Sequence, residues 1–355
     1  MLQGLRKQTD ERFGEATVLD TVGLDSLLAQ RLLEPDTGPN TRDRYLQPRL
    51  ALRYNRAEGP VLGGGFDWWT RRLGTISVGG AYAFGSHVVL HDVGWRRIFW
   101  LSSPYGFRDR RDVSRDWNQS GVSLFGAEVR YARETALFAP EHSQRALSSL
   151  NAFFLGTDRQ SYYERRGLDA SLRLRLSAWD FAAGFRTARE KPYERNATFS
   201  LFGDDERAPG VTPAEAGDFH SFRGRAAWLP ATQRYAAALE GQGLGNDGWR
   251  LRSVLAGATG ITRFVKAFAQ VEGGAADPAS PRQRKFELGG PRAVASLPYG
   301  EGGTDHLWLG KLELIHSESL LELLHLPRPD FFDLQLGAFF HYGVAWDDPA
   351  GREVV

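Results

Sequence analysis

Few side chains in this sequence have the type and spacing that chemistry needs. His87 and His91, with Asp92 beside the second, come nearest to a metal-ligating set on one strand face. Residues four apart on a strand lie about 13 Å from each other, too far to share one ion. Asp204-Asp205-Glu206 has carboxylates for a divalent cation but reads as a solvated turn. Gly241-Gln242-Gly243-Leu244-Gly245 has glycines spaced like a phosphate loop, yet Asn246-Asp247-Gly248 follows where a helix would have to begin. With no helix dipole to hold an anion, the segment reads as a hairpin turn. Ser317, Ser319 and His325 make no recognisable nucleophile, base and orienter arrangement. Arg108 to Arg115 alternates with acids and reads as a solvated loop able to touch lipopolysaccharide phosphates. The expectation is a chain with no catalytic residue, no metal and no cofactor, and not an enzyme.

The elements that carry these residues follow from composition and pattern. The 355 residues include no Cys and one Met, which excludes disulfide frameworks, thiolate zinc sites and cysteine nucleophiles. Lys and Arg number 44 against 43 Asp and Glu, a net charge of +1, so no global basic field exists for nucleic acid. A 42% hydrophobic and 25% charged composition excludes a long disordered protein. No apolar run of about 20 residues is present, which excludes a polytopic helical membrane protein. The length would fit two soluble domains of about 150 residues. It also fits one β-barrel, and 40 Gly, 22 Phe, 11 Tyr and 10 Trp favour that.

Alternation decides the class. Leu73 to His91 is free of charge, but its four glycines would each cost a helix about 1 kcal/mol. Ile76, Val78, Tyr82 and Phe84 share one face, so the stretch reads as two strands turning near Gly85-Ser86. Leu168, Leu172, Leu174 and Leu176 oppose Asp169, Arg173 and Arg175. Phe222 and Trp228 oppose Arg223 and Arg225; Trp249 and Leu251 oppose Arg250 and Arg252. Trp308, Leu312 and Leu314 oppose Lys311 and Glu313, and Phe332 to Trp346 repeats the pattern. One greasy and one wet face per strand suits a soluble sandwich or a transmembrane barrel. Mid-strand arginine pairs, small residues among the greasy positions, and Trp179, Trp228 and Trp249 at strand ends favour the barrel, with its arginines lining a water-filled lumen. The mean hydropathy of −0.39 is what offset faces produce.

Short joins at 57–59, 179–180, 229–231 and 259–260 and long ones at 106–118, 190–218, 273–284 and 289–305 predict short turns on one side and long loops on the other. From residue 47 to 355 the pattern gives about fourteen strands of an antiparallel transmembrane β-barrel. Residues 1–46 form a separate N-terminal segment in which Leu24 to Leu33 predicts one short helix. Met1 to Gly14 has no apolar core of a signal peptide.

Three stretches, in order, resemble the bacterial surface-antigen barrels of the BamA/TamA superfamily. Arg53 to Trp68 (RYNRAEGPVLGGGFDW) resembles the family's opening hairpin, with Asn55, Glu58 and Gly59 at its motif positions. Phe286 to Ile315 resembles its strand, glycine pair (Gly289, Gly290), inward-folded loop and next strand. Leu334 to Trp346 resembles the following strand, where F-x-D-x-G is usual and Phe339, His341 and Gly343 stand here. In the family an Arg at the loop tip pairs with that Asp inside the lumen. Here Ala295-Ser296 stands at the tip position and His341 at the acid position, with Arg292 as a substitute three residues earlier. An unpaired buried charge would cost several kcal/mol, so the joint loss of both partners is electrically consistent. The resemblance implies about sixteen strands in a complete barrel, ending beyond the loop-like Asp347 to Val355, so the chain is expected to be a fragment.

It also implies the bacterial outer membrane as location, and insertion, assembly or translocation of other outer-membrane proteins as role. The expected partners are the lipid bilayer, lipopolysaccharide and unfolded outer-membrane protein clients, with no nucleic acid. The alternatives are a passive or structural pore whose Arg-lined lumen selects anions, and a soluble β-rich binding protein.

Overall fold

The computed structural model describes residues 44–70, 72–102, 123–138, 153–154, 161–193, 201, 214–230, 235–245, 248–262, 264–288, 303–319, 321, 324 and 335–347. The helix expected at Leu24 to Leu33, the basic run Arg108 to Arg115, the acidic run Asp204 to Glu206, Gly289, Gly290, Arg292, Ala295, Ser296, His325 and residues 348–355 lie outside the described residues.

Among the described residues thirteen strands follow in chain order: β1 Arg44–Asn55, β2 Gly59–Thr70, β3 Gly74–Ala83, β4 Val88–Ser102, β5 Ser123–Leu137, β6 Tyr162–Leu176, β7 Trp179–Pro192, β8 Gly217–Trp228, β9 Tyr235–Gly243, β10 Trp249–Gly260, β11 Val265–Ala276, β12 His306–Ser319 and β13 Gln335–Trp346. Each pairs antiparallel with the next in a single sheet. Among the described residues β1 pairs only with β2, and β13 only with β12.

The faces are sorted inside out relative to a soluble domain. Leu52, Leu172, Phe222, Leu255 and Phe340 are exposed, whereas Arg175 and Asp180 are each only 1% exposed and Glu272 is wholly buried. Among the described residues no second sheet covers the apolar face. The charged face is instead enclosed, because the sheet curls and brings distant strands together. Arg49 on β1 reaches Asp92 on β4 at 3.1 Å, and Gln283 beyond β11 reaches Glu190 on β7 at 3.0 Å. This is the wall of an outer-membrane-type β-barrel, not a sandwich.

Three expectations are corrected. Phe286 to Leu288 is not a fourteenth strand. Among the described residues only Phe286 pairs, through an isolated bridge to Thr304 inside the connection 277–305. The neighbouring edges are already taken, since β11 pairs with β10 on one side and β12 on the other. His87 does not share a strand with His91; it lies in the β3–β4 turn with φ +54°. Connection lengths also segregate only in part. The three longest, 138–161, 193–216 and 277–305, share one end of the sheet, but so do the tight turns at 56–58 and 84–87. The opposite end carries the two-residue turn at 177–178 together with 103–122, which contains the long join at 106–118. At that turn-rich end Ala227, Leu229, Ala236, Ala256 and Phe268 form a small apolar cluster on the inner face.

Leu255, in the middle of β10, is 60% exposed on the greasy face. Leu255→Arg should cost about 2–4 kcal/mol of folding stability in lipid, read from the urea midpoint of the barrel refolded into phosphatidylcholine vesicles. An unchanged midpoint would mean that this face does not meet lipid.

Candidate functional site

The interior is built from side chains of one phase on each strand, and its chemistry is charge pairing. Arg173 and Arg175 on β6 both donate to Asp180 on β7, Arg173 Nε at 2.8 Å. Asp169 on β6 accepts from Arg186 Nε at 2.9 Å and from Arg223 two strands away on β8. Glu240 on β9 lies 3.3 Å from Arg225 on β8 and 3.3 Å from Arg252 on β10. Arg252 Nε also donates to Glu272 on β11 at 2.7 Å. Arg49 bridges Asp67 and Asp92 at 3.1 Å each.

The arginines expected to line a lumen, Arg173, Arg175, Arg223, Arg225, Arg250 and Arg252, lie on the charged face of their strands. Arg173, Arg175, Arg223, Arg225 and Arg252 face carboxylates, because the strands beside them carry acids at matching register positions. Arg250 instead stacks over the Phe286 ring, 4.3 Å from its centroid. Lys311 is buried on β12, and Glu313 Oε1 lies 3.2 Å from His341 Nε2 on β13. His341 thus stands beside a carboxylate where the resembled family would place one. Phe339 is exposed, with its ring 5.2 Å from that of His341, and Gly343 lies opposite Leu309.

Two segments close on this interior at the end with the longest connections. The first is the β1–β2 turn. Asn55 Oδ1 accepts the backbone N–H groups of Ala57 at 3.0 Å and Glu58 at 2.8 Å, a side chain standing in for a turn's own hydrogen bonds. Gly59 follows at φ +68°, a conformation that favours glycine. The Glu58 carboxylate is wholly buried and takes both Arg53 nitrogens, at 3.0 and 2.8 Å, together with the Asn55 amide and the Thr135 hydroxyl of β5. The turn also lies over its neighbour, Gly85 N donating to Glu58 O at 2.7 Å. Asn55, Glu58 and Gly59 therefore act as one unit that ties the first hairpin to β5.

The second is the start of connection 277–305. A 3₁₀ turn, Arg282–Arg284, leads into Phe286, which is completely buried against Gly274; a Cβ on that glycine would run into the ring. Arg284 pairs with Glu190 on β7 and donates to the Tyr163 hydroxyl of β6 at 3.0 Å. Gln283 donates to Glu190 at 3.0 Å and exchanges hydrogen bonds with the Glu215 backbone, 3.0 Å each way. Sequence reasoning missed Glu190, Arg284 and Gln283. Nothing local marks Glu190 as the partner of a residue 94 positions away.

Beyond the end of β7, the Tyr193 hydroxyl lies 3.3 Å from Thr135 Oγ1. Burial pushes its pKa up to about 12, with the carboxylates of Glu58 and Glu164 adding to the effect and the Thr135 contact and Arg133 opposing it. Among the described residues no group of three or more His, Asp or Glu is placed to hold a metal.

No family model matches the chain, and no curated protein does. A solved structure it is similar to is BamA from Haemophilus ducreyi lacking POTRA domains 1–3. The TM-score is 0.48 at 12% identity, over 94% of this chain and 69% of that one.

Two measurements test the closures. Glu190→Leu should lose about 3–5 kcal/mol by leaving Arg284 buried without its acid. Adding Arg284→Leu should restore most of it, as read from chemical unfolding. Tyr193 is bound as the neutral phenol, so its contribution is complete below pH 10, its ordinary pKa, and is lost as pH rises through about 12. The stability difference between the wild type and Tyr193→Phe should shrink over that window; a constant difference would contradict it.

Proposed function

We propose that this chain forms the membrane-embedded barrel of a bacterial outer-membrane protein that assists the insertion or translocation of other outer-membrane proteins. The observation that carries the reading is the state of the interior. Its arginines are engaged by Asp169, Asp180, Glu240 and Glu272, and the 282–286 segment is docked inside near β6 and β7. Such an interior is a poor conduit for anions, which weighs against the passive pore. Two further features support the reading. The three motif-bearing stretches run in the family's order, and Asn55, Glu58 and Gly59 of the first converge on one turn. Among the described residues β1 also pairs on one side alone, and strand edges template the addition of another strand. Client strands would pair there while their apolar faces pass directly into lipid.

The full protein, reconstituted in vesicles, should speed the folding of an unrelated barrel protein several-fold over empty vesicles, followed by heat-modifiable gel migration. Steady anion conductance without any acceleration would favour the pore. Full solubility without detergent, with migration unchanged by heating, would sink both membrane readings.

A further inference from the structure

The outer face of β4 to β8 is apolar over most of its height and then changes character along one line. Register places His91 opposite Arg133, Arg133 opposite Arg166, Arg166 opposite Arg189, and Arg189 opposite Asp218. These positions share their phase with Val93, Val129, Leu168, Phe181 and Phe222, the greasy side of the same strands. The row below, toward the turn-rich end, is Tyr131, Leu168, Thr187 and His220. The row above pairs Glu164 with Lys191. Three adjacent strands thus carry arginine at one level, two rows past the last wholly apolar row (Val129, Ala170, Phe185 and Phe222) and at the end with the longest connections.

The cations are only partly compensated. Arg133 Nε donates to Glu164 at 2.8 Å, and Arg166 Nε donates to the Tyr131 hydroxyl at 2.7 Å, a neutral partner. Arg189 and Asp218 stand 4.0 Å apart with side chains 66% and 70% exposed, a loose pair worth little in water. Lys191 is exposed and forms no ion pair among the described residues. Long basic side chains at the edge of an apolar belt lay their stems along it and put their charge at headgroup depth.

We infer that this row binds the headgroup of a phosphorylated glycolipid in the outer leaflet. The inference rests on the outer-membrane reading above. Two things on the wall select this occupant. Guanidinium and ammonium groups match phosphate oxygens, and Arg does so in a planar fork. The row also runs from β5 to β7, two strand spacings or about 10 Å, wider than one phosphate. A sugar headgroup bearing more than one phosphate fills that width; a phospholipid with a single phosphodiester does not. Arg133 and Glu164 also act on the buried Tyr193 beside the β1–β2 turn, so the substitutions that test the row fall on Arg166, Arg189 and Lys191.

The test is native mass spectrometry of the full protein in detergent, titrated with lipid A carrying both phosphates, with its dephosphorylated form, and with phosphatidylglycerol. The wild type should prefer the diphosphorylated form. The combined Arg166→Gln, Arg189→Gln, Lys191→Gln variant should lose about tenfold or more of that affinity while keeping its heat-modifiable migration. Equal binding by variant and wild type would overturn the site. Equal affinity for phosphatidylglycerol would reduce it to general attraction for anionic lipid, and displacement by millimolar inorganic phosphate would assign it to free phosphate; either overturns the glycolipid. A wild type that does not migrate as a folded barrel would instead remove the membrane reading on which the site depends.

Discussion

Register is the constraint on which the rest of this wall depends, and paired charges hold it. Along β6 to β11 four carboxylates are shared between strands: Asp180 joins β6 to β7, Asp169 joins β6 to both β7 and β8, Glu240 joins β8 to β10 through β9, and Glu272 joins β10 to β11. A slip of one residue in any of these strands would turn its charges toward the apolar side and its leucines inward. Backbone hydrogen bonds alone cannot prevent that, because a slipped ladder makes nearly as many. The ion pairs make the correct register the only one in which no charge is stranded, and a stranded buried charge costs several kcal/mol.

The same pairing fixes where the cations of the wet face lie. A guanidinium held between carboxylates on neighbouring strands lies along the wall and is neutralised there. Two covalently local units dock at one end of the wall, the Asn55 to Gly59 turn and the Arg282 to Phe286 segment. Both use a wholly buried glutamate that accepts from another element: Glu58 from β5 as well as from its own hairpin, and Glu190 from the 277–305 connection. Gly274 supplies the space in which Phe286 can sit.

Alternation was legible because it is local. The faces assigned to Leu168 to Leu176, to Phe222 and Arg223, and to Leu312 and Lys311 are those observed. The partner of each arginine was not legible, since a pair such as Arg223 and Asp169 is made by strand order and curl across 54 residues. Phe286 to Leu288 looked like a strand for a related reason. Its residues suit one, but whether an apolar segment becomes a strand depends on a free edge, and β11 and β12 leave none between them. His87 was misplaced on a strand because Val88, the first residue of β4, gives no local sign that the turn extends that far. In the opening hairpin, by contrast, the motif was legible almost completely, since Arg53, Asn55 and Glu58 lie close in sequence and bond to one another.

The docking of connection 277–305 runs across the wall and not to the strand beside it. His341 on β13 pairs through Nε2 with Glu313 on its neighbour β12, within its own part of the wall. The charge that anchors connection 277–305 comes earlier, at Arg284, and its acid is Glu190 on β7. Anchoring to β7 ties the connection between β11 and β12 to a wall several strands away, where an anchor on β13 would tie it only to the adjacent strand. The docked segment therefore braces the barrel across its interior.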